Sequence, residues 1–334
     1  MFPFHVMGGK DVRAVIDSSH AEIYAQVRET YLAHHRGETI NPNSYFLRFP
    51  DKPDARIIAL PALVRGNPSV AGLKWIGSFP ENIEHNVPRA SAVLILNDFA
   101  TGYPFACIEA SQISAARTAA SAVLGAELLQ GARRADKVAV IGAGVISRTI
   151  LEFFRGLGWD IGEVAVHDRV EDYARRWARR ADESGYQGTV CATLPAAVEG
   201  ADVVVLATTT AEPYLTDTGL LAPGQNVLNV SLRDLGPQLV LGSHNILDDV
   251  EHCLTARTSP HLAELECGHR RFIDGTLAQL MLGEVTLTRD KPRIFSPFGL
   301  GVLDIAVGLS VLRAGLEAGT PLAVPDFFAE VARW

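Results

Sequence analysis

Cysteine is scarce in this chain, and its spacing matches neither a disulfide framework nor a metal site. The four cysteines, Cys107, Cys191, Cys253 and Cys267, lie far apart and include no Cys-x-x-Cys pair. Disulfide-stabilised small domains and common zinc sites both depend on closely spaced cysteines. We therefore predict no disulfide framework and no bound metal.

Long apolar runs and blocks of basic residues are also missing. No apolar stretch approaches the ~20 residues of a membrane-spanning helix, and the start, MFPFHVMGGKDVRAVID, lacks the pattern of a signal peptide. The net charge is −8, with 30 Lys and Arg against 38 Asp and Glu, so no basic block is available to neutralise a run of phosphates. These absences predict a cytoplasmic protein without a membrane or nucleic-acid partner. A small anionic substrate is still compatible, because a few placed basic residues act locally.

Length and apolar content are those of a two-domain protein. The chain has 334 residues, of which 48% are hydrophobic, enough for two well-buried cores. Residues 21–36 have the spacing of an amphipathic helix, and residues 55–108 contain short β-rich runs separated by turns. An Ala-rich helix is predicted over residues 110–129. The first third of the chain therefore predicts an α+β domain.

From about residue 136 the pattern changes to alternating strands and helices. KVAVIGAG, EVAVHDR and four later apolar runs predict strands, and such alternation is typical of a parallel sheet covered by helices on both faces. The segment GLGVLDIAVGLSVLRAGLEAG predicts a helix that returns to the first domain. We predict an α/β protein: a Rossmann-type, doubly wound parallel sheet over residues 126–304, inserted into a discontinuous α+β domain of residues 1–125 and 305–334.

The segment VAVIGAGVIS carries a dinucleotide-binding fingerprint. It places Gly142, Gly144 and Ser147 at the G-x-G-x-x-G/A/S spacing between a strand and a helix. Gly142 permits the tight turn, Gly144 lets the backbone approach a pyrophosphate, and the small Ser147 lets the helix pack close to the strand. The helix N-terminus then offers free N–H groups to the phosphates. Asp168 ends the next strand 21 residues after Ser147, and this context favours nucleotide binding over a plain Gly-rich turn.

Asp168 also indicates which nucleotide binds. A carboxylate at this position accepts hydrogen bonds from the ribose hydroxyls of NAD. Against the 2′-phosphate of NADP, a like-charge pair at ~4 Å would cost about 4 kcal/mol, roughly a thousandfold in affinity. The adjacent Arg169 softens that penalty. We therefore predict NAD as the cofactor, with a strong preference over NADP.

Three segments together resemble the ornithine cyclodeaminase/mu-crystallin family: GLKWIGSFPENI with Lys74, SQISAARTAASAV with Arg117 and Thr118, and IGAGVIS. The resemblance extends over nearly the whole chain. It implies that the discontinuous domain binds a small amino-acid-derived substrate, with the active site between the two domains. It also implies a homodimer formed through that domain, which agrees with the β-rich runs, since their edges and apolar faces need covering.

Further segments resemble one branch of this family. PRASAVLILND, NVSLRDL, DDVEHCLTARTSPHLAE and IFSPFGLGVLDIAVG are similar to the branch that makes 2,3-diaminopropionate for siderophores and peptide antibiotics. That similarity implies oxidation of N-(2-amino-2-carboxyethyl)-L-glutamate with NAD to L-2,3-diaminopropionate and 2-oxoglutarate. The alternatives are alanine dehydrogenase, ketimine reductase or ornithine cyclodeaminase activity, or a non-catalytic binding protein gated by NAD(P)H.

The resemblance assigns roles to residues whose surroundings suit them. Lys74 lies among apolar residues and Arg117 in a helix of small, uncharged residues, and both are implied to face the substrate. Arginine binds carboxylate through two parallel hydrogen bonds, as an amino-dicarboxylic substrate requires. Arg48 is a further candidate for substrate binding. The implied cofactor site comprises Arg117, Thr118, Gly142, Gly144, Val145, Ile146, Asp168, Arg169, Thr208, Thr209, Thr210, Ser231, Ser296 and Gly299.

The catalytic aspartate of the cyclodeaminases has no direct counterpart in this chain. Leu232 falls at its position in NVLNVSLRD, and Asp234 follows two residues later. Asp234 either replaces that aspartate as the base for a water molecule or caps a turn, and the sequence leaves both alternatives open. The departure argues against a true ornithine cyclodeaminase. We predict Lys74 and Asp234 as the catalytic residues.

Overall fold

The computed structural model describes residues 2–330 and residue 332. The chain divides into two compact units, one of residues 1–117 and 300–334 and the other of residues 118–299. Both divisions were predicted from the sequence a few residues later, after residues 125 and 304. The first division lies within the helix Ser111–Gln130, and the second directly precedes the helix Gly301–Ala318.

The first unit is built on one mixed sheet. Numbered in chain order, its strands are β1 (His5–Met7), β2 (Thr39–Ile40), β3 (Tyr45–Phe49), β4 (Lys52–Val64), β5 (Val70–Ser78), β6 (Ala90–Asp98), β7 (Pro104–Glu109) and β16 (Leu322–Ala323). Its helices are α1 (Gly9–Ser18), α2 (His20–His35), a 3-10 helix (Pro80–His85) and α11 (Gly301–Ala318). The strand order is β16-β1-β7-β6-β5-β4-β2, with β3 paired to β4. The pairs from β3 to β7 are antiparallel, which gives the α+β unit predicted from the sequence.

Helix α11 covers one face of this sheet. Along β5 the residues Val70, Gly72 and Lys74 are buried while their neighbours are less so, the alternation of a strand with one covered face. Two glycines allow α11 to lie close to the sheet. A Cβ on Gly72 would lie 2.6 Å from Ile305, and one on Gly308 would clash with Leu94. The side chain of Lys74 therefore points to the face on which α11 packs.

The opposite face of the sheet is apolar and partly exposed. Trp75 on β5 lies directly opposite Val93 on β6 and Ala59 on β4. Trp75 is 40% exposed and Val93 39% exposed. Large apolar side chains clustered on a solvent-exposed sheet face are typical of an interaction surface.

The second unit is a parallel sheet with helices between its strands. Its strands are β8 (Arg134–Ile141), β9 (Asp160–His167), β10 (Gln187–Val190), β11 (Val203–Leu206), β12 (Asn226–Asn229), β13 (His244–Leu247), β14 (Gly275–Thr276) and β15 (Arg293–Ser296). Its helices are α4 (Val145–Gly156), α5 (Glu171–Glu183), α6 (Leu194–Val198), α7 (Pro237–Leu241), α8 (Val250–Cys253), α9 (Ser259–Cys267) and α10 (Leu277–Leu282), joined to the first unit by α3 (Ser111–Gln130). The order β10-β9-β8-β11-β12-β15-β13-β14 extends to both sides of β8. The predicted doubly wound Rossmann-type fold is confirmed.

Strand β15 was not predicted from the sequence. Its four residues, Arg293–Ser296, are all buried, and it lies between β12 and β13 in the middle of the sheet. The run RIFS is short and is bordered by the charged segment TRDKP and by Pro297. Local patterning is too weak in so short a run to identify a strand, and only its pairing on both sides defines it.

The longest helices of the structure rely on small residues. Helix α3 spans 20 residues and buries a series of alanines, and a Cβ on its Gly125 would lie 2.4 Å from the ring of Phe295 on β15. Close helix–sheet packing of this kind requires glycine at the contact. Across the described residues, no helix combines the length and apolar character needed to cross a membrane.

Candidate active site

A buried ion-pair network links three distant segments of the first unit. Lys74 Nζ donates to Asp304 Oδ2 over 2.6 Å and to Ser114 Oγ over 3.1 Å. Arg117 Nε donates to Asp304 Oδ1 over 3.1 Å. Asp304 has no exposed surface and Lys74 only 2%. The structure thus brings together the two cations predicted to bind substrate and adds a carboxylate between them.

The network is unevenly balanced in charge. Its two cations face a single carboxylate, so an anion entering the site would find an excess of positive charge. Burial lowers the pKa of Lys74 to about 8; Asp304 opposes this shift and Arg117 adds to it. Desolvation therefore outweighs the ion pair, and Lys74 loses its proton at a lower pH than an exposed lysine does. Such a lysine is suited to proton transfer.

The local fold explains how Asp304 reaches Lys74. Asp304 lies in the first turn of α11, where a carboxylate is stabilised by the helix dipole. Asn41 Oδ1 accepts the N–H of Val302 over 3.1 Å and so satisfies one free donor of this helix end. Asp304 was not predicted as a site residue from the sequence. An acidic residue in the apolar run GLGVLDIAVG was the signal that could have identified it.

Arg48 lies outside this network. It is exposed on β3, with its guanidinium carbon 5.3 Å from the ring centre of Phe46. It forms no hydrogen bond or ion pair with Lys74, Arg117 or Asp304 in the described part of the chain. Its strand register instead places it directly opposite Arg56.

The second unit contains the turn predicted to bind a dinucleotide. Gly142 has a φ of +98°, and a Cβ there would lie 2.7 Å from the carbonyl oxygen of Ala207. Next to Gly144 the space is open, with no atom within 4 Å of a Cβ position. Helix α4 begins at Val145 without a side-chain cap, and Ser147 Oγ donates to Gly142 O over 2.6 Å. Open space beside an uncapped helix N-terminus fits the pyrophosphate of NAD.

Asp168 lies beside this turn. Its Oδ2 accepts the N–H of Ala143 over 2.8 Å, and its Oδ1 accepts the N–H of Val170 over 2.9 Å. A carboxylate has about four acceptor positions, so capacity is left for the ribose hydroxyls of NAD. Arg169 is exposed at the next position.

Four further predicted cofactor residues lie in loops that follow strands of the same sheet, whereas Thr118 lies on α3 and Val145 and Ile146 begin α4. Thr208, Thr209 and Thr210 follow β11, and Thr210 Oγ1 donates to Glu212 O over 2.6 Å. Ser231 follows β12 and donates to Leu206 O over 3.1 Å. Ligands of open parallel sheets bind at this carboxyl edge, so the topology places these residues where a dinucleotide would need them.

A buried carboxylate fixes the loop that follows Ser296, the last residue of β15, and contains Gly299. Asp248 accepts the N–H groups of Phe298 and Gly299 over 3.0 and 2.7 Å, and the thiol of Cys253 over 2.9 Å. Burial and the charge of Asp248 raise the pKa of the Cys253 thiol well above its usual value, so it acts as a neutral donor. Within residues 2–330 and 332, no group of three or more His, Cys, Asp or Glu side chains is arranged to hold a metal ion.

Asp234 is also buried, and both of its carboxylate oxygens accept hydrogen bonds. It has no exposed surface; Thr208 Oγ1 lies 2.8 Å from each carboxylate oxygen, and Tyr214 donates to Oδ2 over 3.1 Å. Burial raises its pKa, against the hydrogen bonds from Ser231, Thr208 and Tyr214. Thr208 in turn lies against Gly142, with 3.2 Å between its methyl carbon and a Cβ position there. This arrangement favours an organising role for Asp234, while its role as a base stays a prediction.

Comparison with known proteins identifies the family. The model of the ornithine cyclodeaminase/mu-crystallin family matches residues 10–311. The chain belongs to this family. The family and the fold predicted from the sequence are therefore confirmed.

Relatives of the chain differ in the reactions that their names describe. The N-((2S)-2-amino-2-carboxyethyl)-L-glutamate dehydrogenase of Staphylococcus aureus is 30% identical over 86% of this chain and 88% of its own length. The Δ1-pyrroline-2-carboxylate reductase of Thermococcus litoralis, solved with NADH and L-proline, has a TM-score of 0.87, 22% identity, and coverage of 96% and 100%. An archaeal alanine dehydrogenase dimer with bound NAD has a TM-score of 0.86, 23% identity, and coverage of 98% and 100%. These relatives agree with the prediction of an NAD-dependent oxidoreductase.

Replacing Asp234 with asparagine separates its two possible roles. If Asp234 organises Thr208 and Tyr214, the variant loses about one charge-assisted hydrogen bond, and the Kd for NAD rises about tenfold. The value of kcat at saturating NAD then stays within about threefold of wild type. If Asp234 is the base, kcat falls by about a hundredfold or more with the NAD Kd unchanged. Fluorescence titration of NAD and steady-state kinetics measure the two quantities, and Tyr214→Phe should reproduce the organising outcome.

Proposed function

We propose that this protein is an NAD-dependent dehydrogenase that cleaves N-(2-amino-2-carboxyethyl)-L-glutamate oxidatively. Substrate, NAD and water would give L-2,3-diaminopropionate, 2-oxoglutarate, NADH and a proton. The observation that carries the proposal is the buried Lys74–Asp304–Arg117 network, whose excess positive charge suits a substrate rich in carboxylates. The 30% identity to a dehydrogenase of that name supports the choice of substrate.

Each residue of the network has a separate role in the proposed reaction. Arg117 binds the α-carboxylate of the glutamate moiety, because its fork matches carboxylate geometry. Lys74, in its neutral form, takes the proton from the secondary amine of the substrate. Asp304 holds both cations in place through its two oxygens. NAD, when bound, supplies the acceptor for the hydride that leaves the glutamate Cα.

The second half of the reaction is a hydrolysis. Water adds to the carbon of the resulting imine, and protonated Lys74 is placed to return its proton to the nitrogen. The C–N bond then breaks, which releases the diamino acid and leaves the keto group on 2-oxoglutarate. Asp234 is the candidate base for this water. That role requires kcat to fall when Asp234 is replaced.

A substrate panel tests the reaction. NADH formation should be fastest with N-(2-amino-2-carboxyethyl)-L-glutamate and much slower with L-alanine, L-proline and L-ornithine. Arg117→Ala should lower kcat/KM for the preferred substrate by at least about a hundredfold, since a buried carboxylate loses its partner. Arg117→Lys should restore only part of the rate, because the charge returns without the fork. The exposed Arg313→Ala serves as the control, and faster turnover of alanine or proline would refute the proposed substrate.

The pH dependence of the rate tests Lys74. Because its pKa is lowered to about 8, the neutral amine accumulates as the pH rises through that value. We expect kcat/KM to rise with pH along a limb of apparent pKa near 8 and to level off above it. Lys74→Arg stays protonated throughout this range, so the limb should vanish and kcat should fall strongly. A wild-type rate that decreases above pH 8 would mean that Lys74 acts only as a fixed cation.

We also propose that the chain forms a homodimer through the exposed sheet face around Trp75 and Val93. The archaeal alanine dehydrogenase was solved as a dimer, and the partly exposed apolar face supplies a surface of suitable character. Trp75→Glu should convert the dimer to a monomer in light scattering, because a carboxylate cannot be buried there unpaired. Leu265→Glu, at a leucine of α9 that is 61% exposed, should leave the dimer intact. A wild-type monomer at working concentration contradicts the proposal.

A further inference from the structure

A small cavity lies at the carboxyl edge of the parallel sheet in the second unit. Its walls come from the end of β12 and the loop after it, from the turn that follows α8, and from the end of β15. The polar residues that line it are Asn229, Ser231, Cys253, Thr258 and Ser296. The cavity has room for about one water-sized group. It can therefore receive the tip of a polar group but not a ring.

Asn229 brings an unpaired acceptor to this cavity. It is the last residue of β12 and is 1% exposed. Its Nδ2 donates to Ser296 Oγ over 3.0 Å, which fixes the plane of the amide. Its Oδ1 accepts no hydrogen bond from the described part of the chain. A buried acceptor without a donor destabilises a protein, and native structures supply the donor from protein, water or ligand.

Three further polar groups that line the cavity already have acceptors of their own. Ser231 Oγ donates to Leu206 O over 3.1 Å. Thr258 Oγ1 donates to Cys253 O, and the Cys253 thiol donates to Asp248 Oδ1 over 2.9 Å. Turning any of these donors into the cavity would take a hydrogen bond from another buried acceptor. A donor from a bound molecule avoids that loss.

The turn after α8 forms a preshaped wall of the cavity. Ala256 and Arg257 have φ values of 52° and 55°, in the left-handed region that residues with a Cβ rarely adopt. Arg233 Nη2 donates to Ala256 O over 3.0 Å. The N–H of Arg257 donates to His261 Nδ1 over 3.1 Å. Backbone strain of this kind persists only where surrounding contacts enforce it, and it is concentrated at ligand sites.

The cavity lies where the nicotinamide half of NAD has to extend. The Gly142–Gly144 turn follows β8, and Asp168, which suits the ribose of the adenosine half, follows the neighbouring strand β9. A pyrophosphate at the turn therefore leaves the other half of NAD to extend away from β9, over β11 and β12. Asn229 ends β12, two strands from β8, or about 10 Å along the sheet.

The nicotinamide carries a donor of suitable size. Its carboxamide ends in an NH2 group, which is comparable in size to a water molecule and can donate two hydrogen bonds. We propose that this NH2 group enters the cavity and donates to Asn229 Oδ1, while Ser296 holds the Asn229 amide in the accepting orientation. The contact also restrains rotation of the nicotinamide ring, because half a turn would withdraw the carboxamide from the cavity. The inference requires NAD binding alone and does not depend on which substrate is oxidised.

The test combines three ligands with four proteins. NAD is compared with its 3-acetylpyridine analogue, in which a methyl group replaces the NH2, and with ADP-ribose, which lacks the ring. The proteins are wild type, Asn229→Leu, Ser296→Ala and the control Asn226→Leu, the same change at a buried asparagine at the opposite end of β12. In fluorescence titrations, wild type should bind NAD about tenfold more tightly than the acetyl analogue, because one hydrogen bond is lost. The preference should fall below about twofold in Asn229→Leu and persist in Asn226→Leu.

The affinity for ADP-ribose reports whether each variant retains its fold, and it should be the same in all four proteins. A wild type without the preference overturns the proposal. So does a preference that survives in Asn229→Leu while ADP-ribose still binds, and the cavity then holds only water. If Asn229→Leu no longer binds ADP-ribose, Ser296→Ala decides the question. A preference lowered by about threefold or more in Ser296→Ala supports the contact, because the amide is no longer fixed, and an unchanged preference overturns it.

Discussion

The carboxylate of Asp304 is the contact on which the candidate active site depends. It receives Lys74 on one oxygen and Arg117 on the other, over 2.6 and 3.1 Å, in the interior of the first unit. Two buried cations without it would repel each other in a medium that screens charge poorly, and loss of one partner of such a pair costs about 3–5 kcal/mol. The same carboxylate orients both side chains, and it compensates only part of their charge. Stability and anion binding are therefore set by the same group.

Aspartates have a similar organising role in the second unit, where Asp234 and Asp248 are buried and Asp168 is partly exposed. Asp168, Asp234 and Asp248 follow or end strands at the carboxyl edge of the parallel sheet, and each accepts hydrogen bonds from the loops around it. A carboxylate can accept several donors at once, so a single side chain fixes the backbone of a loop that has no regular structure. Loops that bind ligands need such anchors, because their own backbone groups are not paired in a ladder. The loops predicted to bind NAD are held in this way.

The two faces of the sheet in the first unit differ in their residues and in their roles. Because successive side chains of a strand point to opposite sides, Lys74 and Ser78 share one face of β5 while Trp75 lies on the other. The first face holds the ion-pair network, and the second is apolar and partly exposed. A shift of register by a single residue would exchange these faces. Continuous pairing of β5 with β4 and β6 therefore protects both the site and the exposed surface.

The sequence by itself determined the features that depend on local pattern. The Gly142–Gly144 turn with Asp168, the long helix α3 and the alternating strands follow from spacing and residue type over short windows. Lys74 and Arg117 were identified through the family resemblance, and their apolar or uncharged neighbours supported that assignment. Only the tertiary structure determined which residues from distant parts of the chain contact each other. Asp304 is 230 residues from Lys74, and β15 is recognisable only through its pairing with β12 and β13. Contacts between distant segments leave no periodic signal, because they are fixed by how the strands and helices pack rather than by the residues next to them in the chain.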